Sequence, residues 1–194
     1  SQCVFSNCLT SDSNKFIATI AASDNILIRD NFFNVSAENR NDNTKHARAL
    51  RISKFASSVI VIFNKFINCQ AHESTRSCPT LLFDGTTNPS QTNTANISYN
   101  HIEGIQNCNC GTFSLNLGQS ELVSFDHNVI TKCVSNAGGL SSISGIPTKG
   151  FNMENVTFSS CQSTINGGIG LTIESAPISF TNCHYINNIS PNNG

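Results

Sequence analysis

The chain has 194 residues, a formal charge of −1 and only 12% charged residues, and its polar surface is built from 27 Asn, 26 Ser and 16 Thr with no Trp. The absence of a Lys/Arg cluster removes the electrostatic footprint of a nucleic-acid binder. No apolar run approaches the ~20 residues that span a bilayer. One core and a single domain over 1–194 are expected at this length. A β-rich chain is expected as well, because Asn, Ser and Thr side chains compete for the backbone hydrogen bonds of a helix.

Along the chain one kind of word recurs seven times. It opens as CVFSNC from Cys3, then reads ILIRDNFFN from Ile26, VIVIFNKFINC from Val59 and ISYNHIEGI from Ile97. It ends as VSFDHNVITKC from Val123, FNMENVTFSSC from Phe151 and ISFTNCHYINN from Ile178. Each copy begins apolar, any, apolar, passes a two-residue polar corner, and returns to an apolar residue. Anchoring on the second apolar residue gives Phe5, Ile28, Val61, Tyr99, Phe125, Met153 and Phe180, at steps of 23, 33, 38, 26, 28 and 27 residues. A word returning at about 20–50 residues is the mark of stacked repeats.

Between the copies lie second alternating segments, starting at Ala49, Thr80, Thr112, Leu140 and Ile169, whose period of two predicts strands. The expected fold is therefore all-β, a right-handed parallel β-helix of about seven rungs. A leucine-rich repeat also fits words such as VSFDHNVI. It would favour Leu and a helical return, whereas this chain supplies Phe, Val, Ile and second strands.

The frame assigns rows. Two places after the anchor stand Asn7, Asp30, Phe63, His101, His127, Asn155 and Asn182, a bend ladder of mostly short polar groups that tolerate left-handed backbone. Five places after it stand Thr10, Phe33, Phe66, Gly104, Ile130, Phe158 and Tyr185, an inward stack at the ~4.8 Å spacing of parallel strands. Eight places after it come Cys69, Cys133 and Cys161, small apolar fillers of a repeated slot, with Ser36, Asn107 and Asn188 elsewhere. Cys78 and Cys110 each precede a second strand in neighbouring repeats and form the candidate disulfide, with Cys108 as substitute partner. On this frame Cys8 and Cys183 are about six rung spacings apart, near ~29 Å.

No signal peptide opens the chain at Ser1, so secretion would rest on a segment outside this sequence. Four sequons, at Asn34, Asn96, Asn155 and Asn188, are glycosylation candidates and favour an extracellular or cell-surface location. Nine cysteines fit an oxidising compartment but leave one over.

Chemistry is sparse. Asp126, His127 and His101 form the most enzyme-like constellation, the residues a polysaccharide lyase or glycosidase on this scaffold would use. Adjacent residues of a strand face opposite sides, so Asp126 and His127 meet only if the corner bends between them. Cys108, Cys110 and His101 lack a second ligand pair at zinc spacing. The Gly-Gly words at Gly138 and Gly167 lack the Lys-Ser/Thr of a phosphate loop. No metal, cofactor or catalytic function is expected.

Those Gly-Gly words, together with Phe-x-x-Asn at Phe113 to Asn116 and Phe125 to Asn128 and the variants FSNC, FINC and FTNC, resemble the repeats of polymorphic outer-membrane proteins of chlamydiae and their protist counterparts. The resemblance implies a passenger-like β-helix with an adhesive or structural role at the cell surface. Its partners would be a glycan or protein ligand, met at insertions near 36–46, 70–79 and 85–95. The chain would be a fragment of a longer solenoid or a subunit stacking end to end, in the extreme as a filament.

Overall fold

The computed structural model describes residues 4–6, 18–21, 25–34, 49–53, 58–68, 81–84, 94–105, 113–116, 122–135, 141–145, 149–163, 170–173 and 177–190. Among them are 21 strands, numbered β1 to β21 along the chain, and no helix. Every pairing between these strands is parallel.

One sheet of six strands holds β3 (Asn25–Arg29), β6 (Ser58–Ile62), β9 (Thr94–Ser98), β12 (Leu122–Asp126), β16 (Gly150–Glu154) and β20 (Ile178–Thr181) in chain order. After a two-residue corner each continues into a sheet of seven: β4 (Phe32–Asn34), β7 (Lys65–Ile67), β10 (His101–Glu103), β13 (Val129–Thr131), β17 (Thr157–Ser159) and β21 (His184–Ile186), with β1 (Val4–Ser6) at its outer edge. The second alternating segments form the other six-stranded sheet: β5 (Leu50–Ser53), β8 (Leu81–Asp84), β11 (Phe113–Asn116), β15 (Ser141–Gly145) and β19 (Gly170–Ile173). All five strands predicted there are present, joined by β2 (Ala18–Ala21), which has no counterpart among the expected segments. A two-stranded ribbon pairs β14 (Val134–Ser135) with β18 (Gln162–Ser163). The segments between repeats that are described return as strands, which removes the helical return a leucine-rich repeat would favour.

Register corrects the frame in two places. Val61 and Phe125 both pair with Ile97, so Ile97 is the fourth anchor and Tyr99 is not. The steps between anchors from Ile28 onward then become 33, 36, 28, 28 and 27 residues. The slip arose because ISY offers two apolar residues two places apart, and an even slip preserves the inward face. Phe5 pairs with Phe33 rather than with Ile28, so Phe5 and Phe180 lie in different sheets and the two words do not share a frame position.

Three inward rows make the core. The anchors Ile28, Val61, Ile97, Phe125 and Met153 are buried, as are Ile26, Val59, Ala95, Val123 and Phe151 two places earlier. Five places after the anchor lie Phe33, Phe66, Ile102, Ile130 and Phe158, also buried, with the Phe33 and Phe66 rings stacked at 4.9 Å. Ile102, not Gly104, fills that row in the fourth repeat. Each buried large side chain contributes about 1.5–3 kcal/mol by leaving water. At place eight, Ile105, Cys133 and Cys161 are buried, so Ile105 replaces the expected Asn107 and the two thiols do act as small fillers.

The corner between the first two sheets is a constrained part of each repeat, as is the left-handed position that follows the next strand at Asn68, Gly104, Lys132, Ser160 and Asn187. Place two, now Asp30, Phe63, Tyr99, His127, Asn155 and Asn182, is left-handed throughout, with φ from 51 to 58°. His101 is not in this row; it lies on β10 with extended backbone, and Tyr99 stands in its place. Asn7 lies outside the described residues.

The hydrogen-bonded ladder runs one place further in than expected. Asn64 Oδ1 accepts from the backbone N and Nδ2 of Asn31, both at 3.0 Å. Asn100 Oδ1 accepts from Asn64 N and Nδ2 at 3.0 and 3.1 Å, and Asn128 Oδ1 from Asn100 N and Nδ2 at 2.9 and 3.1 Å. Each amide also donates back into the anchor strand: Asn64 to Ile28 O, Asn100 to Val61 O and Asn128 to Ile97 O, at 2.8 to 3.0 Å. Asn64, Asn100 and Asn128 are buried, so these bonds satisfy groups that would otherwise be orphaned.

Removing one amide from the middle strands its neighbours above and below. Asn100→Ala is expected to lower unfolding free energy by about 2–4 kcal/mol, since an orphaned buried group costs about 1–3 kcal/mol. Asn31→Ala, at the half-buried end, should cost about 1 kcal/mol. Denaturant midpoints at constant slope measure both.

Candidate functional site

The most distinctive surface feature grows from the left-handed corner. At place two the side chain points out, and three successive repeats fill it with rings. Phe63 and Tyr99 stack at 5.0 Å between centroids, and Tyr99 and His127 at 4.6 Å. Phe63 and Tyr99 are 48% and 49% exposed, so the ring edges form a ridge along the stacking direction. The Arg29 guanidinium covers the outer face of Phe63 at 5.9 Å. At the other end Asn155 Nδ2 lies 3.1 Å from His127 Nε2 and donates to it when the ring is neutral. Leu27, exposed on the neighbouring sheet face, adds apolar surface beside Arg29.

A bulky residue at positive φ is a genuine outlier, and left-handed backbone costs about 1–2 kcal/mol per residue. Two stacked ring pairs return about 0.5–1.5 kcal/mol each, which offsets only part of that. The remainder is held by the ladder, because each of the three rings is followed directly by a ladder amide: Asn64, Asn100 or Asn128.

The residues singled out for catalysis are only partly brought together. Asp126, at the end of β12, and His127, in the corner, are adjacent. His101 is not stacked on His127; its Nε2 lies 3.1 Å from Glu103 Oε2, and Glu103 Oε1 accepts from Lys132 Nζ at 2.9 Å. Those hydrogen bonds, first from Lys132 and then from His101, hold the Glu103 carboxyl below the usual range. Asp126 instead stands in register with Glu154. Burial, then the nearby Glu154 charge, push Asp126 above the ordinary carboxylate range. This pairing was readable, since both acids sit one place after an anchor. Among the described residues no group of three or more His, Cys, Asp or Glu side chains is placed to hold a metal.

The sequons differ in setting. Asn96 is exposed on β9, and its Oδ1 accepts from the Ser98 hydroxyl of the same sequon. Asn155, in its corner, and Asn34, on β4, are both half-buried. The Asn188 amide is engaged in both directions, with Oδ1 accepting from Cys161 N and Nδ2 donating to Phe158 O, each at 3.0 Å. Cys78, Cys108, Cys110 and the insertions near 36–46, 70–79 and 85–95 lie outside the described residues. So do Cys8, Cys69 and both Gly-Gly words.

The two Phe-x-x-Asn words prove to be unlike. Phe125 to Asn128 runs from an anchor to a ladder amide, whereas Phe113 to Asn116 is strand β11 of the other six-stranded sheet. No protein-family model, curated protein or solved structure matches the chain.

The Asp126 carboxyl gives a measurable pH dependence. Its folded pKa is raised, so the stability it contributes is complete below the unfolded value of ~3.9 and is lost as pH rises through the folded value. At neutral pH the charge beside Glu154 is therefore unfavourable. Asp126→Asn is expected to stabilise the fold at pH 7 by roughly a few tenths of a kcal/mol, the scale of a screened surface interaction. The gain should vanish near pH 3, as read from thermal midpoints across that range.

Proposed function

We propose that the three large sheets wrap a common core as a right-handed parallel β-helix, and that this helix is a non-catalytic recognition module of the cell surface or extracellular space. It presents the Phe63–Tyr99–His127 ridge to an extended glycan or protein ligand. The observation that carries the reading is the ridge itself. Three rings are kept half in water, at a backbone conformation they disfavour, along one line. Exposed rings and strained corners are both costly, and such costs collect where a surface has work to do.

The surroundings support a neutral ligand. Asn96, Ser124 and Asn152 line the neighbouring strands, and their amides and hydroxyls make hydrogen bonds without charge. The adhesive role implied by the likeness to polymorphic outer-membrane repeats agrees with this chemistry. A carbohydrate-active enzyme is the second reading, favoured by the register pair Asp126 and Glu154, since glycoside hydrolysis needs two carboxylates.

The chain has two tyrosines and no tryptophan, so Tyr185→Phe leaves Tyr99 as the sole tyrosine reporter. Arrays of neutral and uronic-acid glycans, and plates coated with collagen or laminin, supply the probes. Saturable binding that shifts Tyr99 emission and weakens at least about tenfold, ~1.4 kcal/mol, in both Phe63→Ala and Tyr99→Ala is expected, with no new reducing ends. Binding unaffected by either change removes the ridge from the role. Glycan cleavage abolished by Asp126→Ala establishes the enzyme instead.

A further inference from the structure

Two thiols that play no part in the ridge share one slot inside the stack. Cys133 and Cys161 follow the left-handed residues Lys132 and Ser160, with φ of 54° and 53°, and precede the paired strands β14 and β18. The two segments are in register: Val134 pairs with Gln162, and Gln162 N donates to Cys133 O at 2.8 Å. Cys133 and Cys161 therefore stand in neighbouring repeats one parallel-strand spacing apart, ~4.8 Å. That lies inside the ~4.4–6.8 Å between Cα atoms that a disulfide spans. Closing the bond asks the Cβ atoms to approach by about a few tenths of an ångström, to the wide end of their usual range.

The surroundings suit a bond. Both side chains are buried, at 0% and 1% exposure, and the Cys161 thiol is held below its usual range chiefly by the Cys133 thiol beside it. As thiols they donate weak hydrogen bonds, Cys133 Sγ to Thr131 O and Cys161 Sγ to Ser159 O, both at 3.3 Å, with a longer one from Cys161 Sγ to Ile130 O at 3.6 Å. Losing those protons orphans neither of the nearer carbonyls. Thr131 O also accepts from Gly104 N at 3.1 Å, and Ser159 O from Lys132 N at 3.0 Å. Neither sulfur has a rival next to it in its row. Ile105 fills the slot one repeat earlier, and Asn188 stands one repeat later, where its Oδ1 accepts from Cys161 N. Cys183, the third cysteine among the described residues, is at the first corner, in the row of Val156.

We propose that Cys133 and Cys161 are a dithiol/disulfide pair whose oxidised form staples two neighbouring repeats together. The oxidant is a small disulfide such as oxidised glutathione. One cysteine thiolate attacks it and displaces a glutathione thiolate, leaving a mixed disulfide. The second cysteine thiolate attacks the cysteine sulfur of that bond and displaces the other glutathione. Two electrons and two protons pass from the cysteines to glutathione, and one S–S bond replaces another. The exchange runs while the two repeats are docking, since the finished core leaves neither sulfur open to a reagent. Burial then keeps reductants away from the bond. The segment from Cys133 to Cys161, one whole repeat, becomes a covalent ring. In a stack held by nearest neighbours, such a ring fixes a register that strand pairing alone leaves open to slips.

The test is peptide mapping of the chain refolded in a glutathione redox buffer, its free thiols blocked with N-ethylmaleimide in denaturant. Cleavage by trypsin and a glutamate-specific protease after Lys132, Lys149, Glu154 and Glu174 puts Cys133, Cys161 and Cys183 in separate peptides. Peptides 133–149 and 155–174 are expected joined, lighter by two hydrogens than their sum. Dithiothreitol should part them far faster in denaturant than in the folded chain. The thermal midpoint of the oxidised chain should exceed that of the reduced chain by at least about 5 °C, the scale set by closing a loop of this length. Cys133→Ala and Cys161→Ala should each cut that difference by about the same amount. Comparing each variant with its own reduced form cancels the cost of the smaller side chain. The proposal is overturned by maleimide on both thiols, by either cysteine joined to a different one, by reduction as fast in the folded chain as in denaturant, or by a Cys161→Ala variant that keeps the full difference.

Discussion

The left-handed corner between the first two sheets is the constraint from which the rest of the architecture follows. To turn from one sheet into the next within two residues, the chain places one residue at positive φ in every described repeat from Asp30 to Asn182. An amide supports the turn each time, in one of two ways. Where the corner is held by Asp30, Phe63, Tyr99 or His127, the next residue is a ladder asparagine. Where the next residue is Val156 or Cys183, the corner itself is Asn155 or Asn182, a type that takes this conformation at low cost. The ladder thus frees the corner from needing a tolerant residue, and the freed positions are the ones that carry rings. Phe63, Tyr99 and His127 can stand in the corner because Asn64, Asn100 and Asn128 stand behind it.

Much of this architecture is legible in the amino-acid sequence. The word with its apolar, any, apolar opening locates every strand of the sheet from β3 to β20, and period-two segments locate five strands of its neighbour. Strand type is readable because alternation is a local property. Register is not, because Tyr99 and Ile97 both satisfy the local pattern and only pairing across repeats chooses between them. The misplacement of Phe5 has the same origin, since a single apolar residue before a polar corner suits either of two sheets. The asparagine ladder escapes a sequence pattern for a subtler reason. Adjacent polar residues such as Tyr99-Asn100 and His127-Asn128 look alike in sequence, while one points to water and the other lies buried under a neighbouring amide.

Surface chemistry follows the corrected register. Moving Tyr99 into the corner row joins Phe63 to His127 through a ring and turns scattered residues into a continuous ridge. The same correction takes His101 away from His127 and gives it to Glu103, whose other oxygen accepts from Lys132, dissolving the imidazole pair that looks catalytic in sequence. A shift of two residues in one repeat therefore exchanges one functional picture for another without altering the predicted strands at all.

Every strand contact joins a repeat only to the one before or after it, and none of the described pairings spans the length of the chain. A stack built that way is stabilised by nearest neighbours alone. Pulled from its two ends, it does not hold until a single rupture. It gives up its repeats in turn, each loss leaving the next edge intact, so the chain lengthens in steps and absorbs work as a tether does.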